Sequence, residues 1–424
     1  MIAALLLTLA VPQEASREPR IDLGDLYRVA SEASPRAEAA RALASAVGAR
    51  IAPTTRLPDP ELQLGFMNYT VPGSVPMEAI GMTQLQVMQM VPLGGKLGLS
   101  GRVAGAQAAA AAARARDVEW DVRTQVAMVF YDLYATDRAL EVTRQTLRLL
   151  QDIRSSAEAM YRVGDGRQTD VLRAQVEIAR MTEDTLRMTT MRTGMAARLN
   201  ALLNRSADAP VGSPGLPGFP DSLEPLEAFL LESQSGRPMV RAAESDVEAA
   251  AVGATLARRE IWPDLTIGVQ YGQRGTAMGT ERMGSLMFGA SVPVFAKSRQ
   301  LKMRDETAAM RQMAEAELSE MRARTRGDVT QAYANLTRAR NLAVLFRTTI
   351  IPLAEAAAAS ALAAYRVGSV DFMTLLDGRM AVNTYRQELF ALQAEQGRAW
   401  SELEMLLGRE LFDPGASGRR GEEE

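Results

Sequence analysis

The sequence lacks cysteine and histidine entirely, and aromatic residues make up only 5% of its 424 positions. Without thiolates or imidazoles the chain can form no disulfide and cannot build the usual zinc and copper sites. The scarcity of aromatic residues, together with long alanine-rich stretches, argues against one large globular core. The absence of cysteine is also compatible with an oxidising compartment.

The sequence also lacks an excess of either charge, with 48 Lys and Arg against 51 Asp and Glu. The two signs are interspersed, so the clustered basic surface of a nucleic-acid-binding protein is missing. No nucleotide-binding loop, nucleophile set or metal-ligand cluster is present. We therefore predict neither an enzyme nor a cofactor, and interpret charges such as Glu244 and Asp246 as a solvated helix face.

Long apolar runs are missing as well. The run from Ile2 to Val11 is shorter than the roughly 20 residues that a membrane-spanning helix needs. We interpret residues 1–15 as a signal peptide, although the first basic residue is Arg17, and a buried helix is the alternative. No later apolar run reaches the length of a membrane-spanning helix, so we expect no transmembrane helix in the mature chain.

The sequence does contain an internal duplication. The segment from Met160 to Gly164 returns, as Tyr-Arg-Val-Gly, 204 positions later at Ala364 to Gly368. Val91-Pro92-Leu93 returns 201 positions later as Val292-Pro293-Val294. We predict two structural repeats, 22–204 and 237–408, joined by a linker and equatorial segment at 205–236 and followed by a disordered tail at 415–424.

Each repeat is predicted to contain two strands with period-two alternation, at about 61–70 and 82–92 and at about 265–273 and 283–292. Such strands suit a half-buried sheet in a soluble protein or a transmembrane barrel. Their length, and the glycines and glutamines on one face, favour the barrel. Because about eight strands are needed to close even a small barrel, four strands require oligomerisation.

Each repeat then continues into a helical hairpin, 97–204 or 297–408, whose outgoing helix is unusually long. Apolar or small residues at spacings of three and four predict a coiled-coil face on both long helices. Pro352 should kink or loosen the second one. The predicted face of that helix consists of Leu336, Ala339, Ala343, Phe346, Ile350 and Leu353.

This ordered set of features resembles the TolC family of outer-membrane efflux channels. The resemblance covers about Asp22 to Gly408 and includes the junction Gln89-Met90-Val91-Pro92-Leu93-Gly94-Gly95-Lys96 and the two Tyr-Arg-Val-Gly turns. It implies a mainly α-helical chain with a β-barrel contribution. Three chains would give four strands each to a twelve-stranded barrel in the outer membrane, and the hairpins would form an α-barrel tunnel through the periplasm.

The same resemblance implies a periplasmic gate at the hairpin turns. Asp377 corresponds to one aspartate of the family's constricting ring, whereas Thr374 occupies the other ring position. Asp170 and Tyr365 match a pair that links neighbouring hairpins in the closed state, and Val370 replaces the arginine beside them. Val163, Gly164, Val367 and Gly368 would contact the periplasmic adaptor. From the residues alone, the aspartates suit helix starts and the tyrosines suit ordinary packing.

The resemblance implies a homotrimeric passive duct that works with an adaptor and an inner-membrane pump, exporting small molecules or metal ions. The alternatives are the outer-membrane component of a type I protein secretion system, and a soluble periplasmic scaffold or adaptor. The 23 methionines raise the option of copper, because thioethers bind the cuprous ion. Many lie at helical packing spacings, however, and no paired motif is evident on a strand, so we interpret them as core residues.

Overall fold

The computed structural model describes residues 20–70, 73, 75–77, 81–220, 222–276 and 278–412. The predicted signal peptide at 1–15 and the predicted tail at 415–424 lie outside these residues. Elements of the first half are β1 (Arg20–Ile21), α1 (Leu23–Ala33), α2 (Pro35–Ala49), α3 (Ile51–Thr55), β2 (Glu61–Met67), β3 (Met82–Val91), α4 (Lys96–Val163) and α5 (Gln168–Leu202).

The second half repeats this order after a connection in which Ser213–Pro214 forms the short strand β4, parallel to β1. Its elements are α6 (Leu226–Gly236), α7 (Pro238–Arg259), β5 (Leu265–Thr276), β6 (Gly279–Ala290), α8 (Gln300–Leu345), a π-helical turn (Phe346–Ile350), α9 (Ile351–Arg366) and α10 (Phe372–Leu407). Helices α2 and α7 pack beside α4, and α7 also packs against α8. The fold class predicted from the sequence is confirmed.

Helix α4 is the longest element, with 68 residues. At about 1.5 Å per residue it extends roughly 100 Å. Val126, Phe130 and Leu133 on its central part are fully buried and pack against α1, α5 and α10. The apolar stripe predicted for this helix is therefore the surface on which the rest of the helical region is assembled.

The second long helix departs from the predicted stripe at Pro352. Proline has no N–H to donate, and the helix passes through the π turn Phe346–Ile350 directly before it. The extra residue in this turn rotates the following helix, so the buried face continues at Ile351, Ala358 and Tyr365. Leu353, predicted on the coiled-coil face, is 66% exposed and lies outside the core that forms within the chain.

The two hairpins are joined inside the chain by polar contacts between α4 and α10. The Thr146 hydroxyl lies 2.9 Å from the Asn383 side-chain oxygen in a buried pair. Gln387 donates to the hydroxyl of Thr143 at 2.9 Å. Because buried polar groups must be paired, these contacts fix the register of one hairpin against the other.

The strands form one antiparallel sheet in the order β2, β3, β5, β6. The central pair joins the repeats, with Val87 opposite Val269. Strand β2 pairs only with β3, and β6 pairs only with β5, so each leaves one edge open among the described strands. The four described strands therefore form an open sheet that does not close on itself.

The two faces of this sheet differ in chemistry. We call the apolar one the outer face; its large side chains are exposed, up to 78% for Phe288. Its apolar members are Leu62, Leu64, Phe66, Leu85, Val87, Val91, Leu265, Ile267, Val269, Tyr271, Leu286 and Phe288. The opposite face, called the inner face, consists largely of glutamine, glycine, methionine, serine and threonine, and it also carries Glu61 and the ion pair of Arg274 with Glu281.

The methionines on the inner face are exceptions to the interpretation of the methionines as core residues. Six of the chain's 23 methionines lie there: Met67, Met82, Met88, Met90, Met283 and Met287. Their arrangement depends on pairing between strands far apart in the sequence. No local motif in the sequence could reveal it.

One stretch of the second long helix is apolar over a length that was not expected from the sequence. Within Gln300–Arg366, an 18-residue window has a mean hydropathy of 1.5, and only 6% of it is buried in the chain. By length and composition it could cross a membrane, so the expectation of no such helix was too strict. The window belongs to a hairpin packed against α10, and it leaves a long apolar helix surface uncovered.

The sheet is attached to the helices through a buried lysine at the start of α4. The ammonium group of Lys96 donates to Asp264 and to the carbonyl of Trp262, both at 2.9 Å, and lies 3.6 Å from Glu260. These partners precede β5, whereas Lys96 follows β3. The ion pair therefore ties both central strands to their helices where sheet and helices meet.

We expect Gly397→Ala to destabilise the protein. A Cβ on Gly397 would lie 2.3 Å from the ring of Tyr131, a fully buried residue. Overpacking of this kind costs about 1–3 kcal/mol, which outweighs the gain of about 1 kcal/mol in helix propensity. Gly194→Ala is the matched control, because no atom lies within 4 Å of its added Cβ. Thermal unfolding in detergent should show a lower midpoint for the first variant only.

We expect Lys96→Met to lower the free energy of unfolding by about 2 kcal/mol. This is less than the ~3–5 kcal/mol for breaking a fully buried pair, because Asp264 remains partly solvated. Lys302→Met, which removes an exposed pair with Asp305, is the control and should cost well under about 1 kcal/mol. Equal effects in the same unfolding assay would contradict a special role for Lys96.

Candidate functional site at the hairpin turns

Both hairpins reverse direction at a glycine with a left-handed backbone. Gly164 has a φ of 88° and Gly368 a φ of 71°, a region that glycine adopts without a steric penalty. The N–H of Gly164 donates to the carbonyl of Tyr161 at 3.1 Å, and that of Gly368 to Tyr365 at 3.0 Å. The Tyr-Arg-Val-Gly sequence thus ends a helix in the same way twice.

The residues before these glycines project from the ends of the hairpins. Val163 is 72% exposed and Val367 is 79% exposed, and both glycines are exposed too. Two apolar side chains beside exposed backbone form a small surface without a partner in the described part of the chain. We call these four residues the tip surface.

Beneath the tip surface, the two hairpins share a hydrophobic core, which we call the tip core. It combines α4, α5, α9 and α10, with Leu150, Ile153, Ala157, Ala174, Met181, Tyr365, Phe372, Leu375 and Leu376 buried. The ring of Tyr365 packs edge-on against Phe372, with 5.7 Å between centroids. Tyr365 is only 7% exposed, so its ring is part of this core.

Asp170 and Tyr365, which the sequence analysis paired, lie near each other. Burial raises the pKa of the Tyr365 phenol, and the negative charge of Asp170 raises it further. Among the described residues no hydrogen bond joins the two. Val370, at the position of the family's arginine, packs partly buried against the tip core and supplies no charge.

The start of α10 holds the other two predicted gate residues. Thr374 and Asp377 are both exposed, on the side of the helix away from the tip core. The backbone N–H of Thr374 donates to Asp371 at 3.0 Å, and its hydroxyl binds the same carboxylate. Asp377 makes no hydrogen bond or ion pair with any residue that the structure describes.

Asp371, which is not among the predicted gate residues, caps α10 and is exposed at the tip. The Thr374 hydroxyl and backbone N–H lower the pKa of its carboxyl, with a smaller contribution from the charge of Arg173. An aspartate three residues before a threonine at the start of an apolar helix was a usable signal. A second carboxylate is therefore present, one turn closer to the tip than Thr374.

Comparison with known proteins agrees with this architecture. The family model for outer membrane efflux proteins matches residues 32–205 and 230–409. No curated protein sequence matches the chain at a significant level.

Three solved structures are similar to the fold over nearly its full length. The outer-membrane channel OprN shares 18% identity, with a TM-score of 0.77 and coverage of 94% of each chain. VceC of Vibrio cholerae shares 17% identity, with a TM-score of 0.77 over 92% of this chain and 97% of VceC. The open state of MtrE of Neisseria gonorrhoeae shares 16%, with a TM-score of 0.76 over 97% of this chain and 98% of MtrE.

The family match decides between the functional classes that the sequence left open. Members of this family are passive channels, not enzymes, and lie in the outer membrane with an extension into the periplasm. The alternative of a soluble periplasmic scaffold is wrong. The chain belongs to the outer membrane efflux protein family.

Proposed function

We propose that three copies of this chain form one closed barrel and one helical tunnel, which together serve as the passive exit duct of a tripartite efflux system. The observation that carries the proposal is the open sheet with an apolar outer face. Strand edges cannot remain unpaired in a bilayer, so β2 of one copy has to pair with β6 of the next. Three copies of four strands make twelve, enough to enclose a lumen.

The helical region supports the same assembly. Helix α5 leaves Leu172, Val176 and Leu186 more than half exposed, and Leu353 on α9 is 66% exposed. Apolar surface on this scale marks a protein interface. In the proposed trimer, the hairpins of neighbouring copies cover these faces and complete the wall of the tunnel.

The tip surface is the proposed contact for a periplasmic adaptor, which would connect the duct to an inner-membrane pump. Val163 and Val367 offer exposed apolar side chains, and Gly164 and Gly368 leave the backbone open to a partner. Small molecules or metal ions are the proposed cargo. The duct performs no chemistry, and the pump drives the cargo through it in one direction.

The gate is proposed to lie at the start of α10. Three copies of Asp377, together with Asp371, would place carboxylates around the mouth, where they attract cations and repel one another. Thr374 contributes its hydroxyl as a partner of Asp371. Tyr365 holds the two hairpins of one copy together through its ring in the tip core, and the carboxylate of Asp170 lies nearby.

Planar-bilayer recording of the detergent-purified protein tests the duct and its gate. We expect a small conductance that favours cations, with block by divalent cations added on the periplasmic side. Asp377→Asn should reduce the cation-to-anion permeability ratio about twofold or more and weaken the block by divalent cations, because the ring loses its charge. Asp371→Asn should act in the same direction.

The matched control is Asp152→Asn, which removes the same charge from an exposed position on α4, away from the turns. Its selectivity should equal that of the wild type. Absence of any channel would overturn the duct. Channels whose selectivity and block are unchanged in Asp377→Asn would overturn the gate alone.

Two variants of Tyr365 distinguish the contribution of its ring from that of its hydroxyl. We expect Tyr365→Phe to keep the thermal midpoint and resting conductance, because the hydroxyl has no hydrogen-bond partner in the described chain. Tyr365→Ala should cost about 3–5 kcal/mol through the cavity it leaves in the tip core. A larger resting conductance in Tyr365→Phe would instead show that the hydroxyl holds the gate closed.

A further inference from the structure

The inner face of the sheet separates sulfur from hydrocarbon. Its six methionines contrast with the absence of leucine, isoleucine, valine and phenylalanine from the same face of the four described strands. The outer face shows the reverse, with many aliphatic side chains and no methionine among its described residues. The two faces are therefore lined by different kinds of apolar group.

This separation points to sulfur chemistry. A lumen that needed only apolar bulk would accept valine or isoleucine, which are enriched in strands. Lipid contact selects hydrocarbon, as the outer face shows. What the inner face adds is the polarizable thioether, a neutral donor that prefers soft metal ions such as the cuprous ion.

Two glycines bring these thioether side chains close to the sheet. Gly268 lies between Met88 on β3 and Met287 on β6 in the strand register. A Cβ at Gly268 would be 3.3 Å from Cγ of Met88 and 3.2 Å from Cε of Met287. Both side chains therefore lean over the glycine from opposite sides, and Gly268 is buried beneath them.

Gly272 has the same relation to a second group of methionines. Met82 places its Sδ where it would be 2.9 Å from a Cβ on Gly272, and Met283 is the register partner of Gly272 on β6. Met67 lies directly opposite Met82 on β2, and on the other side of Met82 is Arg274 of β5, whose charge is balanced by its ion pair with Glu281. One group contains Met67, Met82 and Met283, and the other contains Met88 and Met287, with Met90 one pair further along.

A polar layer separates the two groups. Gln63, Gln86, Gln270 and Ser285 are aligned across the four strands, and Gln270 donates to Gln84. Met283 and Met287 are four residues apart, as are Gly272 and Gly268, so the two groups are separated by about 13 Å along a strand. Successive weak sites of this spacing bind an ion firmly enough to admit it and loosely enough to release it.

The donors on this face specify the class of cation. Thioethers carry no charge and bind soft, monovalent ions, whereas hard divalent ions need several oxygen donors. Among the described residues no group of three or more aspartate, glutamate, histidine or cysteine side chains could hold a metal ion.

We propose that Met82, Met88, Met283 and Met287 form two tiers of thioether sites in the barrel for soft monovalent cations of the cuprous and silver type. This inference rests on the proposed duct, since the inner face becomes a lumen only in the closed barrel. The sites select cargo inside the outer membrane, far from the acidic residues at the tip.

The test uses silver ion, which is redox-inert under these conditions, as the probe. Detergent-purified full-length protein is equilibrated with silver nitrate in chloride-free buffer, and bound silver is counted by mass spectrometry. The test variant replaces the four methionines with leucine, a volume-conserving change that usually costs under about 1.5 kcal/mol per site. We expect its silver affinity to fall about tenfold or more, since the main soft donors are gone.

The matched control replaces Met181, Met188 and Met195 with leucine. These methionines belong to α5, where Met188 and Met195 accept contacts from hydroxyl groups on α4. Silver binding should remain at the wild-type level. Equal loss in control and test variants, or a wild type that binds no silver, would overturn the proposal.

Bilayer recording separates this proposal from the duct itself. Micromolar silver should reduce the potassium current of the wild type and leave that of the four-leucine variant unchanged. Wild-type channels that conduct but ignore silver would overturn the thioether sites and leave the duct intact. If the four-leucine variant fails to assemble, Met88→Leu/Met287→Leu and Met82→Leu/Met283→Leu test each tier separately.

Discussion

Backbone hydrogen bonding at the open edges of the sheet is the constraint on which the rest of this structure depends. Strands β2 and β6 each have one side without a partner, and a bilayer offers no water to satisfy their amides and carbonyls. The outer face also needs an environment that the chain alone does not provide, because its large apolar side chains are exposed. The chain alone can satisfy neither requirement, so the proposed trimer is a condition for placing it in a membrane.

The helical region has to remain rigid over about 100 Å while its sheet end is anchored in lipid. Lys96 provides the anchor, because it binds the segment before β5 from the first residue of α4. The polar contacts between α4 and α10 hold the hairpins in register. The π turn before Pro352 shows how the second long helix tolerates a proline and still returns its buried face to Ile351.

At the turns, packing and charge have separate roles. Tyr365 and Phe372 build a core that holds the hairpins of one chain together. The carboxylates of Asp371 and Asp377 remain exposed, where they contribute nothing to that core. A gate can therefore respond to cations or partners without unfolding the hairpins beneath it. The inner face of the sheet adds a second chemistry, since its thioethers are neutral and soft.

The sequence by itself determined the duplication, the strands, the two helical hairpins and the positions of their turns. Each of these follows from local periodicity or from glycine and proline, whose effects act within a few residues. It also located Asp170, Thr374, Tyr365 and Asp377 at the turns, because the repeated Tyr-Arg-Val-Gly segment marks them. Their roles as gate residues came from the resemblance and remain predictions.

Only the tertiary structure decided which side chains share a surface. The register between β3 and β5 places Met88 beside Gly268, a residue 180 positions away, and no local pattern contains that information. The π turn moved the core face from Leu353 to Ile351, because one added residue rotates everything after it. The cap at Asp371 became visible through its bonds to Thr374. Long-range pairing and rotation about a helix axis depend on the whole packed chain, and that is why the structure was needed to see them.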